Sequence, residues 1–174
     1  NAAGVEAFNK KIIAASPTVY DMAAYPKTLS GKTVTAYVNT HTDLSDELYR
    51  EGKLVSDNYK NILRSQTNAA AIPAEVTVRY GVTVRRANLR NLPTGEGLFF
   101  YAGDRNFDAL QETALDPGEA VAILHTSTNG YFYYVQAYNY RGWLSKFDVA
   151  ETDRSTWLRY AEPKNFLTVV AKDY

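Results

Sequence analysis

The feature that most constrains this chain is a change of apolar period near residue 73. From Val76 onward apolar residues recur at every second position in short runs, each closed by a turn signal. Val76, Val78 and Tyr80 alternate, Gly81 reads as a turn, and Val82 and Val84 follow. Ala87–Leu92 is extended and stops at Pro93, after which Thr94–Gly103 reads as a loop carrying Leu98-Phe99-Phe100-Tyr101. Asn106–Thr113 reads as a short helix. The turn Asp116-Pro117-Gly118-Glu119 feeds a strand at Ala120–Thr126, and Asn129-Gly130 is a hairpin signal before a return strand at Tyr131–Gln136. Tyr140–Leu144 is the next strand, and Lys146–Ala150 closes as a short helical turn. Strands this short, separated by turns roughly every 8–12 residues, predict a small barrel.

Residues 1–72 follow a different pattern. Val5, Phe8, Ile12 and Ile13 sit at helical spacing, and Ser16-Pro17 ends that run. Thr33–Val38 alternates and reads as a short strand or an extended arm. Thr42 or Asp43 is placed to cap a short helix ahead of Leu44, Leu48 and Tyr49, and Ser56 to cap another bearing Tyr59, Ile62 and Leu63. Large apolar residues are too sparse here for a separate core, so the segment is expected to wrap on its neighbour. The division is therefore an N-terminal segment at 1–75, a barrel at 76–150, and a remainder at 151–174. The expected fold class is mostly β, a small barrel with a helical and irregular N-terminal segment.

Composition excludes several chemistries. The chain has 174 residues and no cysteine, which removes Zn–Cys sites, iron–sulfur clusters and cysteine nucleophiles. The 19 basic and 19 acidic residues cancel, which argues against nucleic acid as a partner. No apolar run approaches the ~18 residues of a membrane span. His41-Thr42-Asp43 lacks a third ligand in spacing, so no metal and no cofactor are expected. His125-Thr126-Ser127 pairs a histidine with a serine, but it falls at the end of a strand beside a turn, and both histidines read as structural. The chain opens on Asn1 rather than Met, so residues are expected to have preceded it.

Four ordered motifs resemble a bacterial SH3 domain: Asn88-Leu89-Arg90-Asn91-Leu92-Pro93-Thr94, Gly118-Glu119-Ala120-Val121-Ala122-Ile123-Leu124, Gly130-Tyr131-Phe132-Tyr133-Tyr134-Val135 and Arg141-Gly142-Trp143-Leu144. Arg79-Tyr80-Gly81-Val82-Thr83-Val84 and Phe107-Asp108-Ala109-Leu110-Gln111-Glu112-Thr113 extend the likeness to the SH3 module near the N-terminus of NlpC-type cell-wall cysteine peptidases. In such proteins a clip-like segment precedes the module, and a second SH3-like module and a papain-like peptidase domain follow. Phe166–Val170 resembles the start of that second module. The hairpin aromatic of the family is often Trp, and Phe132 stands there in this chain. The resemblance implies that the mostly β fold is an SH3-like small barrel at 76–150 with a helical and irregular N-terminal clip at 1–75, that 151–174 is a tail or the start of a following module, and that the protein is bacterial and secreted or envelope-associated. It implies a non-catalytic part that recognises a peptidoglycan stem peptide or glycan, or that forms one wall of a peptidase's groove. Its partners would include an adjacent SH3-like or peptidase domain. A module that binds another protein's peptide is the competing reading, and an independent wall-degrading enzyme is a third.

Candidate contact residues come from two clusters. Residues 96–119 hold six acids against Arg105 alone. On the expected helix Asp104, Asp108 and Glu112 share a face, which reads either as a solvated surface or as one that receives amines. Of the fourteen tyrosines, five fall within residues 131–140. Alternation turns Tyr133 and Val135 inward and Phe132 and Tyr134 outward, beside Tyr140 and Trp143 on the next strand. Flat rings with polar tips suit a peptide or sugar groove, and equally a surface that packs under residues 1–72. The predicted ligand-binding set is Phe99, Tyr101, Asp108, Phe132, Tyr134, Tyr140 and Trp143; no catalytic residue is predicted. Arg79, Arg85, Arg86 and Arg90 are expected to pair with the acids of 96–119. Gly81, Gly130 and Gly142 read as backbone requirements.

Overall fold

The computed structural model describes residues 2–40 and 44–165. Helix α1 is Ala2–Ala15, β1 is Thr28–Ser30 and α2 is Gly31–Thr40; β2 (Tyr49–Arg50) and β3 (Lys53–Leu54) precede α3 (Asp57–Gln66). The strands β4 (Glu75–Thr77), β5 (Arg79–Thr83), β6 (Ala87–Arg90), β7 (Gln111–Leu115), β8 (Ala120–Thr126), β9 (Phe132–Gln136), β10 (Arg141–Ser145) and β11 (Val149–Thr152) follow, and α4 is Arg154–Ala161. Seven strands form one antiparallel sheet in the order β11-β5-β8-β9-β10-β6-β7. Val149 of one edge and Leu115 of the other meet in a single buried cluster with Val121, Ile123, Tyr133, Val135 and Leu144. The sheet is therefore wrapped around a shared interior: the small barrel that the period-two pattern predicts, of the SH3-like kind that the motifs imply.

Two glycines show why the strands can close so tightly. A Cβ at Gly142 would lie 2.6 Å from the Arg90 carbonyl oxygen, and one at Gly81 would lie 2.5 Å from Val149 Cγ1. Gly81 is thus a mid-strand residue of β5 chosen for close approach, not a turn. The expected helical turn at Lys146–Ala150 is a 3-10 turn over Lys146–Asp148 that runs directly into β11.

The outer face of the barrel is also buried. Ala122, Leu124, Tyr134 and Trp143 pack against Met22, Tyr25, Val34, Val38 and Trp157. The alternation of β9 is as expected, with Tyr133 and Val135 inside and Tyr134 outside, but "outside" is not solvent. The N-terminal segment covers Tyr134 and Trp143 completely. Two arginines fasten the cover. Arg141 donates to Gln136 Oε1 at 2.6 Å and to the Tyr20 hydroxyl at 2.9 Å, and its guanidinium lies 3.4 Å from the Tyr37 ring centroid. Arg154 donates to the Ala23 carbonyl at 3.1 Å and to the Tyr80 hydroxyl at 2.9 Å. From α4, Trp157 Nε1 donates to the Val121 carbonyl at 3.1 Å.

Three local expectations are corrected. Thr33–Val38 is not a strand or arm; it lies in α2. Val34 and Val38 satisfy period two and the i, i+4 spacing equally, and the Ser30 hydroxyl accepts from Thr33 N at 3.1 Å, which starts the helix. Residues 44–49 are not helical: Leu44 and Leu48 are buried within a connection, Tyr49 enters β2, and the expected caps Thr42 and Asp43 lie outside the described residues. Asn106–Thr113 is not a helix, because Gln111–Leu115 pairs with β6 as β7 and Asp108 is committed to a turn. By contrast α3 forms as expected, with the Ser56 hydroxyl accepting from Tyr59 N. Helix α1 also forms, yet Val5 and Phe8 remain about three-fifths exposed, at 59% and 62%.

Candidate functional site

A third apolar cluster joins the two halves of the chain. Leu44, Leu48, Val55 and Leu63 from the N-terminal segment meet Leu92, Leu98 and Leu110 from the barrel's long loop. Above it, the two-residue turn between β2 and β3 places Glu51 and Gly52 at φ 50° and 78°. Positive φ at both positions is what lets so short a hairpin reverse. The hairpin docks on the loop through a reciprocal bridge: Tyr49 N donates to the Phe99 carbonyl at 2.7 Å, and Phe99 N donates back at 2.9 Å.

The loop itself is pinned by a buried ion pair. Arg90 Nη1 donates to Asp108 Oδ2 at 2.7 Å, and Nη2 donates to the Glu96 carbonyl at 2.6 Å. The other Asp108 oxygen accepts from Leu98 N at 3.1 Å and Leu110 N at 3.0 Å. A charge out of water is tolerable only when paired and hydrogen-bonded in this way. Gly97 completes the arrangement, since a Cβ there would meet the Phe99 ring at 2.8 Å.

Between the hairpin and this loop opens a cleft of about 540 Å³, lined by Arg50, Glu51, Glu96, Phe99, Asp104 and Arg105 among others. One wall is electrically closed. Arg50 pairs with Glu96 at 2.7 Å, the Tyr59 hydroxyl donates to the same Glu96 oxygen, and the Arg50 guanidinium lies 4.8 Å from the Tyr59 ring centroid. Burial, aided by the bond to Glu96, raises the Tyr59 phenol above its ordinary pKa and keeps it a donor. The rim is open. Asp104 Oδ1 accepts from Asn106 N at 2.8 Å and, more loosely, Phe107 N, while the side chains of Glu51 and Arg105 make no hydrogen bond or ion pair among the described residues.

The seven predicted contact residues divide accordingly. Phe99 lines the cleft, Tyr101 stands exposed on the same loop, and Asp108 lies behind it holding Arg90. The other four are elsewhere. Tyr134 and Trp143 are fully buried beneath the clip, Phe132 is half-buried against the same cluster, and Tyr140 is exposed at the β9–β10 turn. Of the two readings of these rings, a ligand groove or a surface packed under residues 1–72, Tyr134 and Trp143 follow the second, which corrects their place in the predicted ligand-binding set. Arg50 and Glu51 belong to no motif that marks them in the sequence. Their signal is the Glu51-Gly52 turn, overshadowed by the helical pattern expected around it.

Most of the acids and bases singled out by the sequence are structural. Arg90 pairs with Asp108 and Arg86 with Asp116, as expected, but Arg79 pairs with Glu151 and Arg85 with Asp148. Because no helix forms at 106–113, Asp104, Asp108 and Glu112 share no helical face. His125 Nε2 lies 3.0 Å from the Asn68 carbonyl, and burial lowers its pKa. The Ser127 hydroxyl donates to Asn129 Oδ1 and accepts from Phe132 N, closing the hairpin rather than facing His125. Among the described residues no group of three potential metal ligands occurs, and no helix is long and apolar enough to cross a membrane.

A small antiparallel barrel with a covered outer face and a cleft beside its long loop is the architecture of an SH3-like module. Residues 98–145 match the family model of the SH3 domain of the SH3b1 type, and the barrel they belong to is SH3-like. Among solved structures, the chain is similar to an NlpC/P60 endopeptidase from Photobacterium damselae subsp. piscicida, with a TM-score of 0.58 and 21% identity. The likeness covers 74% of this chain and 30% of the endopeptidase, so the chain spans less than a third of that protein's length. No curated protein matches the sequence.

Proposed function

We propose that the chain is a non-catalytic module of a secreted or envelope-associated bacterial cell-wall hydrolase. Its task is to recognise peptidoglycan, or to form one wall of a peptidase's substrate groove, with the hairpin–loop cleft as the recognising surface. The observation that carries the reading is the SH3b1-type match, which takes in Phe99 and residues 102–105 of the loop side of the cleft. The shared fold with an NlpC/P60 endopeptidase supports it. Phe99 offers an apolar ring inside the cleft and Tyr101 an exposed one beside it, the flat, low-entropy surfaces that peptide and sugar ligands favour. Asp108 acts through the loop it pins. Phe132, Tyr134 and Trp143 serve to seat the clip.

Co-sedimentation with purified sacculi tests this. The intact chain is expected in the pellet, and the double variant Phe99→Ala, Tyr101→Ala is expected to be largely released with its fold retained. Failure of the unaltered, folded chain to pellet would overturn wall recognition. A turbidity assay on the same sacculi is expected to show no clearing; clearing would overturn the non-catalytic assignment.

The alternative reading, a protein-interaction module, is favoured by one observation. Val5, Phe8 and Ile12 form an exposed stripe along α1, where a protein partner would find apolar area.

A further inference from the structure

We propose that the cleft between the β2–β3 hairpin and the 94–110 loop binds a short zwitterionic peptide by its two charged ends. Its carboxylate would sit on Arg105 and its ammonium on the Glu51–Asp104 side. This rests on the recognition role proposed above and names the ligand chemistry of that site.

Most of the charges at the cleft are already committed to one another. Arg50 and Glu96 neutralise each other, and Tyr59 occupies the same Glu96 oxygen. Neither is available without breaking that wall. Arg90 and Asp108 are likewise spent on the loop. What remains facing the cleft is one cation and two anionic groups. Arg105 presents an unused guanidinium, a planar fork that matches a carboxylate in two parallel bonds. Glu51 is an unused carboxylate, held at the rim by a left-handed backbone. Asp104 spends one oxygen on the loop and keeps Oδ2 free.

A ligand carrying only one sign of charge would meet both attraction and repulsion here. A ligand with both signs at opposite ends meets complementary charge on each side. The floor suits a peptide between those ends. Phe99 supplies apolar area, and Gly52, Gly97 and Gly103 line the cleft without side chains. At about 540 Å³ the space is that of a small ligand rather than a folded partner.

The test titrates the full chain with the free stem tripeptide of peptidoglycan, its fully amidated form and its N-acetyl form, followed by amide chemical shifts in NMR. The unmodified peptide is expected to shift the Gly52, Gly97, Gly103 and Arg105 amides. Amidation and Arg105→Gln are each expected to weaken binding about tenfold or more, the scale of one charge-assisted bond. Combined, they should cost no more than either alone. Glu51→Gln and N-acetylation should form a second such pair. Arg105 and Glu51 hold no other side chain, so these variants keep the fold.

Equal affinity for acid and amide, or unaltered binding by Arg105→Gln, would overturn the proposal. So would shifts confined to another face. The sacculus assay separates the two readings. Pelleting that survives Arg105→Gln alongside an indifferent titration sinks the zwitterion site alone. Absence of pelleting with a positive titration sinks wall recognition alone.

Discussion

The Tyr134 hydroxyl donates to the Tyr37 carbonyl at 2.9 Å from a fully buried ring. Burial drives this phenol's pKa well upward, so the donor persists across the physiological range. Tyr134→Phe leaves the Tyr37 carbonyl without that donor and is expected to cost about 1–2 kcal/mol in urea unfolding. Tyr134→Ala also opens a cavity and should cost about 3–5 kcal/mol. Similar stability of Tyr134→Ala and the unaltered protein would place the ring at the surface. For Asp108→Ala, which strands a buried guanidinium, the expected loss is about 3–5 kcal/mol, with a weakened cleft as its consequence. His125 makes the stability depend on pH. Its pKa lies below the unfolded value of about 6.5, because burial disfavours the charged ring. The unfolded chain therefore binds the proton more readily. This contribution to stability is complete above pH ~6.5 and is lost as pH falls through the lower folded-state value. Melting temperature should drop with acid in the unaltered protein, and less steeply in His125→Gln. Parallel curves for the two would remove His125 from the account.

At the scale of elements, α2 is where local pattern misleads. A run of Thr-Val-Thr-Ala-Tyr-Val has β-branched residues and alternation, both strand signals. The helix wins because one face meets a core, with Val34 and Val38 buried, and because Ser30 caps it. Ser30→Ala should cost about 1 kcal/mol by chemical denaturation, the value of an N-cap; a neutral result would show that packing alone holds the helix. The strand β7 is the reverse case. Asp108 binds two backbone N–H groups and Arg90, which turns the chain out of a helix and delivers Gln111 to β6. None of those partners is near in sequence to the residues whose helical spacing they override. The β2–β3 hairpin depends on Gly52, whose φ is 78° and whose Cβ would lie 3.3 Å from the Ala102 carbonyl oxygen. Gly52→Ala should destabilise by about 1–2 kcal/mol and shift amides across the cleft in NMR. An unperturbed spectrum would mean that the hairpin does not shape the site.

For the molecule as a whole, the clip and the barrel share their cores. One apolar cluster unites Val34 and Val38 with Tyr134 and Trp143, and another unites Leu44 and Leu63 with Leu98 and Leu110. Both tryptophans lie fully buried in the first cluster. Unfolding followed by tryptophan fluorescence and by far-UV circular dichroism should therefore give one coincident transition. Two separated transitions would make the clip an independent domain.

The sequence by itself determined the barrel. Period two and turn residues act between neighbours in the chain, and Gly130 (φ 73°) sits where the hairpin turn requires it. It also determined which face of β9 points inward. Only the tertiary structure decided what the tyrosines are for. Tyr20, Tyr25, Tyr37, Tyr80 and Tyr134 gather at the junction of clip and barrel, around Arg141 and Arg154. A ring suited to a ligand is equally suited to a neighbouring segment, and alternation cannot tell which covers it. The cleft was hidden for the same reason. Arg50 and Arg105 lie 55 positions apart in sequence and become neighbours only because the leucines of two separate segments close one core beneath them.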